Sequence, residues 1–270
     1  MVLTLFTARS QIGKAPVILR LAAFFGKLPK NRKNTGSNLI LKNRRETMRK
    51  NKKILRVVVL FSGGASSLKY LLEHDPNCGK KYKIVGAFTD THDAPGTSLV
   101  KQADIELECL DIRDYFRARN TRLNNPEVRK AYFADVSRKI QRFQADLLIL
   151  CGFMRIVVDP LLNEYRNRIL NVHPADLTLV DKNGKRKYIG YDAVFKAISA
   201  GEKFTRSTIH FVTEDVDGGP IVTISDPLPI DPDVDPKIHQ EKMKWACDGP
   251  AYAKALALIA GGNSYLTGRN

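Results

Sequence analysis

Between Leu55 and Glu73 the chain reads LRVVVLFSGGASSLKYLLE: a β-branched apolar run, a turn of small residues, and apolar residues resuming at helical spacing. A strand that passes into a helix through Ser62-Gly63-Gly64-Ala65-Ser66-Ser67 leaves free backbone N–H groups at a helix N-terminus, aimed at whatever lies beyond the strand. The natural guest of such a turn is a phosphate. Two classes of enzyme use one: those that handle a nucleoside triphosphate and those that grip a phosphorylated substrate.

The rest of the chain repeats the alternation. Arg56–Phe61, Lys83–Thr89, Ile105–Leu110, Asp146–Cys151 and Arg168–Val172 read as strands, with helices predicted over Ser66–His74, Ser98–Ala103 and Glu127–Phe143. This order predicts an α/β fold: a doubly wound, mostly parallel sheet of about seven strands with helices on both faces. Ser207–Thr213 and Ile221–Ser225, separated by a turn-rich stretch, predict an antiparallel edge. The proline-rich run 226–236 predicts a connecting loop. A last helix is expected over Ile238–Ile259, burying Met243, Ala246, Leu256 and Ile259, with a break or kink at Gly249-Pro250.

The net charge of +16 resembles that of a nucleic-acid binder, but its distribution excludes that reading. Residues 1–53 carry 14 Lys or Arg against the single acid Glu46, leaving a balance of only +3 in 54–270. The chain therefore divides into a basic extension, 1–53, expected to be disordered or outside the native start, and a catalytic domain, 54–270. Met48 opens a second plausible start, MRKNKKILRVVVLF, and the Arg-bearing, acid-poor residues before it have a transit-peptide character. The apolar stretch Ala15–Phe25 is interrupted by Arg20 and is too short to span a bilayer, which takes about 20 residues. The expectation is a soluble cytoplasmic protein, a monomer or homodimer, with no nucleic-acid or membrane partner. Cys78, Cys109, Cys151 and Cys247 are widely spaced with no C-x-x-C pair, so neither a metal site nor a disulfide framework is signalled. Cys151, closing an apolar strand, reads as core.

Three polar residues stand where a buried sheet has little use for them. Asn171 and His173 lie two apart on one strand, so both side chains leave the same face at its C-terminal end, the edge where open α/β sheets bind ligands. Asp217 sits in a glycine- and proline-shaped turn able to present a carboxylate. Together the three suit attack of an amine on a carbonyl: Asn171 and protonated His173 as donors to the tetrahedral oxyanion, and Asp217 raising the histidine pKa.

Three longer stretches carry a resemblance. Cys151-Gly-Phe-Met-Arg-Ile156, Ile169-Leu-Asn-Val-His-Pro174 and His210-Phe-Val-Thr-Glu-Asp-Val-Asp-Gly-Gly-Pro-Ile221 are similar, in order and spacing, to consecutive signatures of the phosphoribosylglycinamide formyltransferases. The resemblance implies transfer of the formyl group of 10-formyltetrahydrofolate to the amine of glycinamide ribonucleotide in purine biosynthesis, without a metal. It implies catalytic roles for Asn171, His173 and Asp217. Met154, Arg155, Ile156 and Val157 match the loop whose backbone holds the folate pterin, and 214–217, including Glu214 and Asp215, match the loop closing over it. Arg129 matches the family's folate-contacting arginine, and Ala65, Ser66 and Ser67 fall on the positions that clasp the substrate phosphate.

The chain departs from the family pattern on the acceptor side. Ala65 and Ser67 replace a glycine and an asparagine, a polar insertion, Asp181-Lys-Asn-Gly-Lys-Arg-Lys187, follows Pro174-Ala-Asp-Leu-Thr178, and Lys244-Trp-Ala-Cys-Asp-Gly249 offers no match to the family's ribose-contacting glutamate. Another phosphorylated amine, an amino-sugar nucleotide, or water in a formyltetrahydrofolate hydrolase are the alternative acceptors. An ATP-binding enzyme of the PP-loop kind, whose loop also begins Ser-Gly-Gly, needs an acid soon after the glycines to manage magnesium, and Ala65-Ser66-Ser67 supplies none.

Overall fold

The computed structural model describes residues 54–262. The basic extension and its transit-peptide reading lie outside the described residues.

The apolar run forms β1 (Leu55–Phe61), buried on both faces because its side chains alternate between two cores. Val57, Val59 and Phe61 pack with Leu68, Leu71, Tyr252 and Leu256, whereas Val58 and Leu60 pack with Phe116, Tyr132, Phe133 and Ile140. The remaining strands of the main sheet are β2 (Tyr82–Thr89), β3 (Leu107–Cys109), β4 (Leu147–Leu150), β5 (Ile169–His173), β7 (Thr208–Phe211) and β8 (Ile221–Ile224). They form a seven-stranded sheet in the order β3-β2-β1-β4-β5-β7-β8. Pairings from β3 to β5 are parallel, while β7 and β8 add an antiparallel edge as expected. The register sets Asn171 between Leu150 and His210.

Helices α1 (Ser66–His74), α2 (Gly96–Gln102) and α4 (Pro126–Gln141) follow the sequence reading closely. Three short helices escape it: α3 (Ile112–Arg117), α5 (Leu161–Glu164) and α6 (Ala193–Ser199). Each is under eight residues, too short for a periodic apolar stripe to stand out. The proline-rich run is not wholly irregular. Its Leu228–Pro229 (β9) pairs with Phe204–Thr205 (β6), a two-residue edge contact that tolerates proline.

The last helical stretch is in three parts: α7 (Pro236–Met243), a π-helical turn over Lys244–Asp248, and α8 (Gly249–Ala260). The wide π turn alters the helical phase, so Cys247 rather than Ala246 follows Met243 into the core, and Ala246 is exposed. That corrects the expected inward set, of which Met243, Leu256 and Ile259 hold. Gly249 starts α8 where a Cβ would stand 2.2 Å from the Tyr70 ring, so a glycine is what lets α8 lie against α1. Tyr252 Oη, fully buried, donates to Leu150 O at 2.8 Å and locks α8 onto the sheet behind the cleft.

Candidate functional site

The C-terminal ends of β4 and β5 open onto a shallow cleft of about 100 Å³. Its floor is Leu150 and Phe153; its sides are Arg155, Ile156 and Val157 on one hand and Val212, Thr213, Asp215, Val216 and Asp217 on the other. Asn171 and His210 close its inner end.

Asn171 and Asp217 meet there with His210, and His173 stands behind Asp217. Asp217 Oδ2 lies 3.3 Å from His173 Nδ1, and Asp217 Oδ1 lies 3.5 Å from His210 Nε2. His210 Nδ1 stands 2.9 Å from Phe211 O, a carbonyl that can only accept, so Nδ1 carries a proton. Its Nε2 is then free to accept from Asn171 Nδ2 at 3.2 Å, or, when protonated, to donate to Asp217. The first arrangement orients the Asn171 amide and leaves its second N–H for the cleft. His210 was missed in the sequence because cross-strand register is invisible to alternation along one strand; a histidine in the apolar run of β7 is the signal that marks it.

His173 is placed differently from the expectation. Its side chain is buried beneath residues 188–190 and does not line the cleft; Nε2 donates to Tyr188 O at 2.6 Å. Burial holds its imidazole below the ordinary value, and the Asp217 carboxylate and Tyr188 carbonyl pull upward without reversing the sign. The expected rise is thereby corrected: the partner acts as anticipated, but desolvation outweighs it. Burial pushes Asp217 upward too, yet the His210 hydrogen bond, the His173 charge and the Gly190 N–H together hold the carboxyl below its ordinary value. A backbone N–H at 2.9 Å, from Gly190, completes that shell.

The turn after β1 shares the same sheet edge. Ser62 N donates to Gly152 O at 3.1 Å, and Ser62 Oγ accepts from Met154 N at 2.9 Å, so this hydroxyl braces the neighbouring loop. Ala65 is the N-cap of α1, in the left-handed region at φ 50°, and offers no side-chain cap. The first N–H groups of α1, beginning at Ser66 and Ser67, have no partner within the helix, as an anion site requires.

Other singled-out residues distribute unevenly. Arg155, Ile156, Val157 and Asp215 line the cleft, whereas Met154, Glu214 and Arg129 do not. Arg155 also holds the fully buried Asp90, with Nε 2.5 Å from Oδ2. Glu214 pairs with Arg166 on the surface at 3.2 Å, and Arg129 donates to Leu123 O at 2.7 Å from the first turn of α4. Cys151 is buried and its thiol pushed well up by desolvation, in keeping with a core residue. Among the described residues, His92, Asp111 and Asp114 hold ligand-type atoms within 4.8 Å of one another, away from the cleft lining; the Asp111 carboxylate is already taken by N–H groups of His92, Arg113 and Asp114. No helix among the described residues is long and apolar enough to cross a membrane.

Comparison with known proteins bears on the family and the fold. The formyl transferase family model matches residues 55–246. The phosphoribosylglycinamide formyltransferase of Escherichia coli (strain K12) is 29% identical over 168 residues, 62% of this chain and 70% of that protein. The trifunctional purine biosynthetic protein adenosine-3 of Drosophila melanogaster is 28% identical over 253 residues, 91% of this chain but only 17% of that much longer protein. Among solved structures, glycinamide ribonucleotide transformylase 1 from Symbiobacterium toebii superposes with a TM-score of 0.64 at 26% identity, covering 77% of this chain and 89% of that one.

Proposed function

The chain belongs to the formyl transferase family, and on that premise we propose that it transfers the formyl group of 10-formyltetrahydrofolate to the amine of glycinamide ribonucleotide. The observation that carries this reading is the meeting of Asn171, His210 and Asp217 at the inner end of the cleft, with His173 in contact with Asp217 behind them. The folate lies along the backbone of Met154–Val157, closed by the turn that holds Asp215; Arg129 and Glu214 are assigned to it by family resemblance alone. The acceptor phosphate sits against Ala65, Ser66 and Ser67.

In this reading the acceptor nitrogen attacks the formyl carbon, and the free N–H of Asn171 meets the oxyanion as the carbonyl bond opens. One such donor contributes about 3 kcal/mol to the transition state. The proton lost by the amine passes to the Asp217–His173 pair. The intermediate then collapses by breaking its bond to folate N10, which takes up a proton, so the products are a formamide and tetrahydrofolate.

The departures at Ala65, Ser67 and 181–187 favour a second reading, transfer to another phosphorylated amine by the same chemistry. Tetrahydrofolate release assayed with glycinamide ribonucleotide, with other phosphorylated amines and with no amine separates the cases. The first reading expects release that depends on glycinamide ribonucleotide; release without any amine overturns it in favour of hydrolysis.

A further inference from the structure

The insertion after Thr178 folds into a defined hairpin. Val180 bridges Arg186, Asp181 Oδ1 accepts from Asn183 N at 2.8 Å and Lys185 N at 2.9 Å, and Gly184 takes the left-handed turn position at φ 76°. Lys182 and Lys185 are exposed and Lys187 pairs with Glu202 at 3.9 Å, but Arg186 is half-buried. Among the described residues no carboxylate lies within ion-pair distance of its guanidinium. Its two terminal nitrogens instead bridge backbone: Nη1 donates to Asp217 O, and Nη2 donates to Gly219 O at 3.0 Å. The planar fork thus spans the turn that carries the carboxylate.

That turn needs holding. Asp217 is a non-glycine residue at φ 53°, and Gly219 is pressed so closely on β7 that a Cβ there would stand 1.8 Å from Phe211 O. The residues that directly follow the insertion touch the same groups twice more, through Gly190 N on Asp217 Oδ2 and Tyr188 O on His173 Nε2. It is anchored from behind by Tyr188 Oη on Glu202 at 2.6 Å.

We infer that Arg186 is a positioning residue for formyl transfer: by clamping the carbonyls of Asp217 and Gly219 it sets the Asp217 carboxylate between His173 and His210. The inference rests on the proposed reaction for its kinetic consequence but not for its structural one. The charged groups facing His173 are Asp217, His210 and Arg186, and Arg186 adds a small downward pull to the histidine.

The test pairs kinetics with histidine titration by NMR in the full chain. Arg186→Gln should lower kcat by about 10- to 100-fold, the cost of a slightly misplaced reacting group, with both KM values within about threefold of wild type. Arg186→Lys, which keeps the charge and loses the fork, should be nearly as slow, and in it His173 should titrate at lower pH than in wild type, because the displaced Asp217 carboxylate pulls its pKa upward less. In an Asp217→Asn background, Arg186→Gln should change kcat by less than about twofold, because the clamp acts through that side chain. Wild-type kcat in both variants, or fully multiplicative losses with Asp217→Asn, overturns the inference. If Arg186→Gln does not fold, the same cycle is run on Arg186→Lys. If wild type transfers no formyl group, the proposed reaction fails, and a His173 titration in Arg186→Lys unchanged from wild type overturns the positioning role separately.

Discussion

The two walls of the site leave the same sheet edge and are held in different ways. Phe153–Val157 and Val212–Asp217 continue from the ends of β4 and β7, and this wall is seated by the sheet: Val157 and Phe153 are core residues, and Asn171 beside it is fixed by its neighbours Leu150 and His210. Along the turn 62–67 and the stretch 186–190, where the insertion ends, the contacts are individual hydrogen bonds: Ser62 to Met154, Arg186 to the Asp217 turn, Tyr188 to His173. A wall seated by the sheet tolerates little change, while one set by separate bonds can be rebuilt residue by residue. It is on the second wall that this chain departs from the pattern of its family. The difference teaches that a wall held by separate bonds can change its residues while Asn171, His173 and Asp217 keep their places, provided the new bonds still reach them.

The comparison breaks most visibly on the first wall. Asn171→Ala should cut turnover by about 100- to 1,000-fold, and His173→Ala by about 100- to 10,000-fold, with circular dichroism and thermal unfolding showing a folded protein. A smaller loss for Asn171→Ala than for Arg186→Gln would reverse the ranking of the walls.

Gly219→Ala tests the junction between them. Its methyl group collides with the Phe211 carbonyl, and the backbone must shift at a cost of about 1–3 kcal/mol, read as a Tm lower by roughly 2–12 °C. Turnover should fall with it, since the Asp217 turn moves.

Acidification probes the buried histidine. Its folded pKa lies below the unfolded value of about 6.5, so between those two values the unfolded chain binds more protons. The stabilisation is therefore complete above pH 6.5 and is lost as pH falls toward the folded value. Denaturant unfolding from pH 8 to pH 5 should show this slope, and His173→Gln should flatten it.

The second wall should yield smaller effects. Ser62→Ala removes one acceptor for Met154 N–H and should raise the folate KM by roughly fivefold, equivalent to about 1 kcal/mol. Ala65→Gly relieves the left-handed strain but empties a buried methyl site, so stability should move by no more than about 1 kcal/mol, measured by urea titration.

The strand order and the site's location were legible because β-branched runs, a small-residue turn and polar residues at a strand end are local signals. That Asn171 and Asp217 come to one sheet edge was readable for that reason. The position of His173 was not, because alternation puts it on the face of Asn171 but cannot show that residues 188–190 fold over it. His210 and Arg186 depend on contacts across β7 and from the insertion, which no local pattern encodes. Arg129 and Glu214, singled out by family resemblance, lie outside the cleft lining, since their partners Leu123 and Arg166 hold them on the surface. The phase of the last helices was lost for a similar reason, a single π turn.

The central claim is tested most directly by a single-turnover reaction of the full chain with 10-formyltetrahydrofolate and glycinamide ribonucleotide, followed by mass spectrometry of both products. The account predicts formylated acceptor and tetrahydrofolate appearing one for one, and neither above background in Asn171→Ala. Tetrahydrofolate formed without formylated acceptor, or equal yields from wild type and Asn171→Ala, would contradict it.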